Sequence, residues 1–208
     1  MNIATIPNLD FAKWSQGTEI ERAEFVKELG TAYTDIGFIT IKNHGFGESV
    51  QDDLYNKAAA FFSLKKSVKS YYEIEGLAGQ RGYTSFGKEH AKGMEAADLK
   101  EFWQVGQPEP AYEGPEYYDN VSVAELPEFA TGFKRAYQEL ERIGRELLKA
   151  IAIYLDLDSN YFEPWVQGGN SILRAIHYPP ITEDPGDSVR AGQHEDINLI
   201  TLLMGASA

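Results

Sequence analysis

Three features of this sequence predict an α+β fold, with helices dominating the front of the chain and strands gathered towards its end. Phe129, Phe133, Tyr137, Leu140, Ile143, Leu147, Ile151 and Tyr154 keep a three-to-four-residue spacing that amounts to about 40 Å of helix at the standard rise. A second apolar stripe runs through Ile20, Ala23, Val26, Leu29 and Tyr33. Near the end the period falls to two in Ser171–Tyr178, and an apolar run from Ile197 to Met204 follows Arg190-Ala191-Gly192-Gln193-His194-Glu195-Asp196.

In chain order, Ile6-Pro7-Asn8-Leu9-Asp10-Phe11 reads as a short extended segment with Pro7 at its edge. Thr18 and Glu21 have capping-box spacing, and Gly37 is placed to stop the helix they open. Phe38-Ile39-Thr40-Ile41 is a strand. Asn43-His44-Gly45 then turns the chain into an amphipathic helix carrying Val50, Leu54, Ala58, Phe61 and Phe62. Lys65, Lys66 and Lys69 read as a solvated surface. From Gly76 to Gly114 the composition shifts to Gly, Pro and charge. That stretch reads as a binding loop in which Arg81, Tyr83, Phe102 and Trp103 are candidate walls of a substrate pocket, with His90 either beside them or exposed.

The long helix starts near Pro127, which suits a first helical position, and runs to about Leu155 as a scaffold. Tyr161-Phe162-Glu163-Pro164-Trp165 connects it to the strand region. Alternation in Ser171–Tyr178 puts Arg174, Ile176 and Tyr178 on one face and Leu173, Ala175 and His177 on the other. A cation and a phenol on one face can together receive a carboxylate. Pro179-Pro180 ends this strand, and an acidic loop from Thr182 to Ser188 follows.

With 208 residues the chain can bury a sizeable core. Its formal charge of −13 and pI near 4.7 argue against nucleic acid or an anionic membrane as partner, since either needs a basic footprint. An anionic ligand must therefore be held by a few local cations. The absence of cysteine excludes disulfides and thiolate metal sites and fits a reducing compartment. The N-terminus has neither a basic n-region nor an apolar h-region, and no stretch approaches the ~18 consecutive apolar residues of a membrane span. The sequence reads as a cytoplasmic protein with a small-molecule partner; it carries no signal for an oligomeric state.

Chemistry concentrates at His194-Glu195-Asp196. In an extended segment the two-residue period sends His194 and Asp196 to one face and Glu195 to the other. An imidazole and a carboxylate suit a borderline ion such as Fe(II), and one further His would complete a facial triad with positions open for oxygen chemistry. The zinc-peptidase pattern HExxH would need a second His at the position held by Asn198, so that reading fails. Taken alone, His-x-Asp is a weak motif. His177 lies on the strand face opposite Tyr178, and His44 sits in a turn where local backbone groups satisfy it.

Several segments in order resemble the isopenicillin N synthase-like family of Fe(II)-dependent oxygenases, most of which use 2-oxoglutarate. They are Ile6-Pro7 with Asp10-Phe11, Gly37-Phe38-Ile39-Thr40-Ile41-Lys42-Asn43-His44-Gly45, Phe61-Phe62-Ser63-Leu64, Arg81-Gly82-Tyr83, Leu173-Arg174 with Tyr178-Pro179-Pro180, and His194-Glu195-Asp196 with Thr201-Leu202-Leu203. The resemblance implies a double-stranded β-helix, or jelly roll, flanked by helices. It implies Fe(II) held by His194, Asp196 and a distant second His, with 2-oxoglutarate as co-substrate and O2 as oxidant. Tyr178 matches the tyrosine that hydrogen-bonds the distal carboxylate of 2-oxoglutarate, and Arg174 stands beside it as a cofactor-binding candidate.

The same resemblance implies a layout of residues 1–120 as an N-terminal dioxygenase region, 121–168 as scaffold helix and connection, and 169–208 as the start of the jelly-roll domain. The family's second His and its Arg-x-Ser are expected beyond Ala208. On that reading the chain is a fragment truncated after its first core strands, with about four strands where a jelly roll uses about eight, and is inactive alone. Two alternatives stand beside this enzyme: a non-catalytic protein that keeps the fold and binds a small acid or a partner, and an oxidase that does not use 2-oxoglutarate. Resemblance of this kind identifies neither the primary substrate nor the choice among hydroxylation, desaturation and ring closure.

Overall fold

The computed structural model describes residues 5–77, 79–89, 97–110, 112, 114, 117–182, 184–186, 188–194, 196 and 198–205. Along the chain the elements are β1 (Asn8–Asp10), α1 (Phe11–Ser15), α2 (Glu19–Asp35), β2 (Thr40–Lys42), α3 (Glu48–Phe62), α4 (Lys66–Tyr71), β3 (Gly82–Thr84), β4 (Glu101–Gly106), α5 (Phe129–Tyr154), α6 (Glu163–Val166) and β5 (Ile172–His177). They form two compact units, each made of two stretches: Met1–Glu48 with Gln138–Gln167, and Ser49–Tyr137 with Gly168–Ala208.

In the first unit β1 and β2 pair in parallel, with Leu9 opposite Ile41. Asp10 serves both ends of this pair. Its carboxylate accepts Ala12 N–H to cap α1 and accepts Asn43 Nδ2, each at 3.0 Å. Those hydrogen bonds, the one from Asn43 foremost, hold its carboxyl below the ordinary aspartate value. The capping box forms as the spacing predicts, Thr18 N–H donating to Glu21 Oε2 at 2.8 Å and Glu21 N–H to Thr18 Oγ1 at 3.3 Å. Gly37, at φ +82°, ends α2. The buried face of α2 is Phe25, Val26, Leu29, Gly30 and Ala32, so the predicted stripe is corrected: Ile20 is 73% exposed and Ala23 is exposed. Phe25 meets Phe11 edge-on at 6.2 Å and Trp14 at 6.3 Å, and these large rings rotate the helix away from the smaller first-turn residues. His44 Nδ1 accepts Phe46 N–H at 3.1 Å, a local turn contact.

The second unit is built on an antiparallel sheet of order β3-β4-β5. All six residues of β4 are buried, which corrects the reading of 76–114 as one irregular loop. A strand covered on both faces loses its two-residue alternation, and in Glu101-Phe102-Trp103-Gln104-Val105-Gly106 buried polar side chains further obscure the pattern. Trp103, with no exposed surface, is the centre of the core: the rings of Phe61, Phe129 and Tyr72 lie 4.6, 5.0 and 6.1 Å from it. Gly106 is required at the end of the strand because a Cβ there would fall 2.0 Å from the Arg81 guanidinium.

Register places Gln104 opposite Arg174 and Gly82, and Phe102 opposite Ile176 and Thr84, on one face of the sheet. The other face carries Glu101 opposite His177 and Trp103 opposite Ala175 and Tyr83. Residues 198–204 form no strand, and Leu199 and Leu203 are exposed, which corrects the strand expected there. Among the described residues no neighbouring strand offers this run a hydrogen-bond ladder, and without one an apolar sequence does not hold an extended conformation. Five short strands in two sheets are present among the described residues. No helix among them is long and apolar enough to cross a membrane.

Candidate metal centre and its supports

His194 and Asp196 come together, although neither lies in a strand. His194 Nε2 lies 3.6 Å from Asp196 Oδ1, and both side chains are about half exposed. His194 Nδ1 is 2.8 Å from the carbonyl of Gly192. A carbonyl only accepts, so Nδ1 donates in this contact and Nε2 is the ring nitrogen turned towards the carboxylate. Asp196 is steadied from its other oxygen, since Thr201 Oγ1 donates to Oδ2. Metal–ligand bonds of about 2.0–2.2 Å let one ion bridge donor atoms up to roughly 4.2 Å apart, so this N,O pair fits a single divalent cation. Among the described residues no third His, Asp or Glu joins the pair. Glu195, expected on the opposite strand face, and His90 lie outside the described residues.

The stretch that leads into His194 is fastened to the segment before β4. Gly192 N–H donates to Asp98 Oδ1 at 3.0 Å, and Leu99 N–H donates to the Val189 carbonyl at 2.8 Å. Asp98 Oδ2 is paired with Lys100 Nζ at 2.7 Å, and Lys100 reaches Glu89 at 2.6 Å. Glu89 in turn holds Arg174 at 3.0 Å. A continuous chain of charge-assisted contacts therefore joins Arg174, Glu89, Lys100 and Asp98 to the backbone under His194. Burial acts to raise the carboxyls of Asp98 and Glu89, but hydrogen bonds and charge outweigh it and hold both below their ordinary values. Lys100 is the leading partner in each case.

The other residues singled out from sequence separate. Arg174 lies over the Phe102 ring at 4.3 Å and also donates to Gln104, so its cation is already engaged. Tyr178 is 39% exposed just past the end of β5. Arg81 is buried and donates to the carbonyls of Gln80 and Tyr118 and to Asn170 Oδ1, at 2.8, 3.2 and 2.9 Å. Tyr83 and Trp103 belong to the aromatic core, on the sheet face opposite Phe102. The four therefore do not line one open pocket: the aromatic content that suggested a pocket wall is used for core packing, where large rings bury the most surface.

A second polar cluster was invisible to sequence reading. Lys69, expected on a solvated surface, is only 7% exposed. Its ammonium reaches both oxygens of Glu101 at 2.8 and 2.7 Å and the Phe62 carbonyl at 3.0 Å. Tyr83 Oη and His177 Nδ1 also donate to Glu101, the latter at 2.8 Å, while Phe62 stacks on the His177 ring at 5.0 Å. Burial, aided by Glu101, pushes the Tyr83 hydroxyl well up, so it stays protonated and donates. The sequence sign for both networks is charge placed inside an aromatic stretch, as in Asp98-Leu99-Lys100-Glu101-Phe102-Trp103; such charges are buried only when paired.

Comparison with known proteins agrees with this architecture. Residues 6–125 match the family described as the N-terminal region of the non-haem dioxygenase in morphine synthesis. A 2-oxoglutarate-dependent dioxygenase of Aspergillus rugulosus is 31% identical over 96% of this chain and 64% of its own length. Among solved structures, a 2OG-Fe(II) oxygenase family protein from Caulobacter crescentus superposes with a TM-score of 0.75 at 36% identity, covering 88% of this chain and 59% of that one. A full-length Neurospora crassa protein in complex with alpha-KG gives a TM-score of 0.76 at 28% identity, covering 91% and 60%. The chain thus spans about three-fifths of the length of these relatives. A family match across more than half of the chain, joined to relatives and neighbours of one kind, places it: this chain belongs to the isopenicillin N synthase-like family of non-haem Fe(II)- and 2-oxoglutarate-dependent oxygenases.

Proposed function

We propose that this chain carries the N-terminal region and the start of the oxygenase core, residues 169–208, of a protein that oxidises a small organic substrate with Fe(II), 2-oxoglutarate and O2. The observation that carries the reading is the 3.6 Å approach of His194 Nε2 to Asp196 Oδ1, with Nδ1 committed to the Gly192 carbonyl. When bound, iron supplies the Lewis-acid and redox chemistry that couples decarboxylation of 2-oxoglutarate, to succinate and carbon dioxide, to oxidation of the substrate. His194 would offer Nε2 to the ion, and Asp196 a carboxylate that would offset part of its charge. Thr201 keeps that carboxylate from rotating away.

Tyr178 can donate its hydroxyl to the distal carboxylate of 2-oxoglutarate from the exposed end of β5. Arg174 adds positive charge on the same face, tempered by its pairing with Glu89. Tyr178→Phe is expected to weaken 2-oxoglutarate binding by about 1.5–3 kcal/mol, the worth of a hydrogen bond to a charged group, with metal affinity unchanged. An isothermal titration with 2-oxoglutarate that is identical for both forms would remove Tyr178 from this role. Function itself is tested by measuring succinate release from 2-oxoglutarate by the longer protein over a panel of small candidate substrates. Substrate-stimulated release is expected. Binding of 2-oxoglutarate with no release for any substrate would favour the non-catalytic acid-binding reading, and substrate oxidation with no need for 2-oxoglutarate would favour an oxidase.

A further inference from the structure

We propose that Asp98 is a positioning residue for the metal ligand His194: by accepting the Gly192 N–H it fixes the residue whose carbonyl accepts the His194 Nδ1 hydrogen bond, and so keeps Nε2 aimed towards Asp196. This rests on the reading of His194 as a ligand.

The geometry separates this task from simple charge pairing. Asp98 uses different oxygens for its two partners, Oδ2 for Lys100 at 2.7 Å and Oδ1 for Gly192 N–H at 3.0 Å. Lys100 has a second carboxylate in Glu89 at 2.6 Å, so the ion pair does not account for Oδ1. Asp98 and Gly192 are both buried, so water is a poor substitute for either partner. Asp98 is itself immobilised, since its N–H donates to the Glu89 carbonyl at 2.8 Å and the next residue, Leu99, holds Val189. His194 is about half exposed, and a solvated imidazole without its Gly192 contact is free to turn and to exchange tautomers. A ligand held in one tautomer and one orientation meets the ion without a reorganisation cost, which is how residues behind a metal ligand raise affinity.

The test uses the full 208-residue chain, with Co(II) as the probe followed by its visible absorption, and long-range proton–nitrogen NMR of the histidine rings. In the unmutated chain His194 is expected as the Nδ1–H tautomer; an Nε2–H tautomer overturns the inference without any variant being made. Asp98→Ala is expected to lower Co(II) affinity about 10–100-fold and to mix the His194 tautomers. Asp98→Asn keeps an oxygen that accepts the Gly192 N–H and is expected to retain most of the affinity and the single tautomer. Circular dichroism checks that each variant folds; if Asp98→Ala does not, the tautomer measurement and Asp98→Asn decide. Unchanged affinity in Asp98→Ala, or equal loss in Asp98→Asn and Asp98→Ala, overturns the positioning role. A His194→Ala control separates the two levels: if it leaves Co(II) binding unchanged, the metal-site reading fails as well, whereas a His194-dependent affinity untouched by Asp98→Ala overturns this inference alone.

Discussion

Glu101→Leu is expected to destabilise the chain by about 3–5 kcal/mol, the range found when one partner of a buried ion pair is removed. Glu101 sits on β4 and accepts from Lys69 on α4, Tyr83 on β3 and His177 on β5, so one carboxylate ties three elements to the central strand. Without it the Lys69 ammonium keeps the Phe62 carbonyl and the faces of the Phe62 and Tyr83 rings, and a buried cation with no anionic partner is strongly unfavourable. Glu101→Gln, which keeps an acceptor and loses the charge, should fall between the two. The double replacement Lys69→Met with Glu101→Leu should recover most of the loss, because a buried pair exchanged for apolar groups is often neutral or stabilising. Urea unfolding of these four forms measures the differences. A loss below about 1 kcal/mol for Glu101→Leu would mean that the pair behaves like an exposed one and that the cluster is not a structural clamp.

The same carboxylate gives the stability a pH signature. Burial would raise the Glu101 carboxyl, but hydrogen bonds from Lys69, Tyr83 and His177 prevail and set it below the ordinary glutamate value of 4.5. A carboxyl with a depressed folded-state pKa contributes stability that is fully present above its unfolded pKa and lost as pH falls through the folded one. The stability difference between the unmutated chain and Glu101→Leu should therefore be constant at neutral pH and shrink as pH is lowered below 4.5.

Legibility in the sequence followed burial. Elements with one wet face were readable: α3, the long α5 and the alternating β5 show a period set by their more covered side, whereas α2 was legible at its capping box but not in its full apolar stripe. β4 was not readable, because a strand covered on both faces has no alternation to display and its charges are satisfied inside the protein. His194 and Asp196 lie close, but neither is in a strand, so the alternation argued from sequence is not what brings them together; His194 contacts the Gly192 carbonyl and Asp196 the Thr201 hydroxyl. Asp98 and Lys100 lie nearly a hundred residues from Gly192 and His194 in sequence, and a contact of that range leaves no local periodic trace. Arg81, Tyr83 and Trp103 show the converse: residue types that suit a pocket wall are equally those that fill a core, and only packing tells the two apart.

The largest functional effect is expected at the two candidate ligands. His194→Ala or Asp196→Ala should each lower Co(II) affinity of the chain by more than the roughly 100-fold that bounds the loss of a supporting residue, because a donor atom itself is removed. In the longer protein proposed above, either change should abolish succinate release. Thr201→Val removes only the hydroxyl that donates to Asp196 Oδ2 and is expected to cost about tenfold, at the lower end for a group behind a ligand. His44→Ala serves as the control for loss of a histidine as such, since His44 is occupied by the Phe46 N–H in a turn; it should leave Co(II) affinity intact. The order His194 and Asp196 far above Thr201, with His44 at zero, is what an N,O pair 3.6 Å apart around one ion requires. Equal losses at His44 and His194 would mean that Co(II) binds histidines non-specifically. Full succinate release by Asp196→Ala would remove this pair from the chemistry altogether.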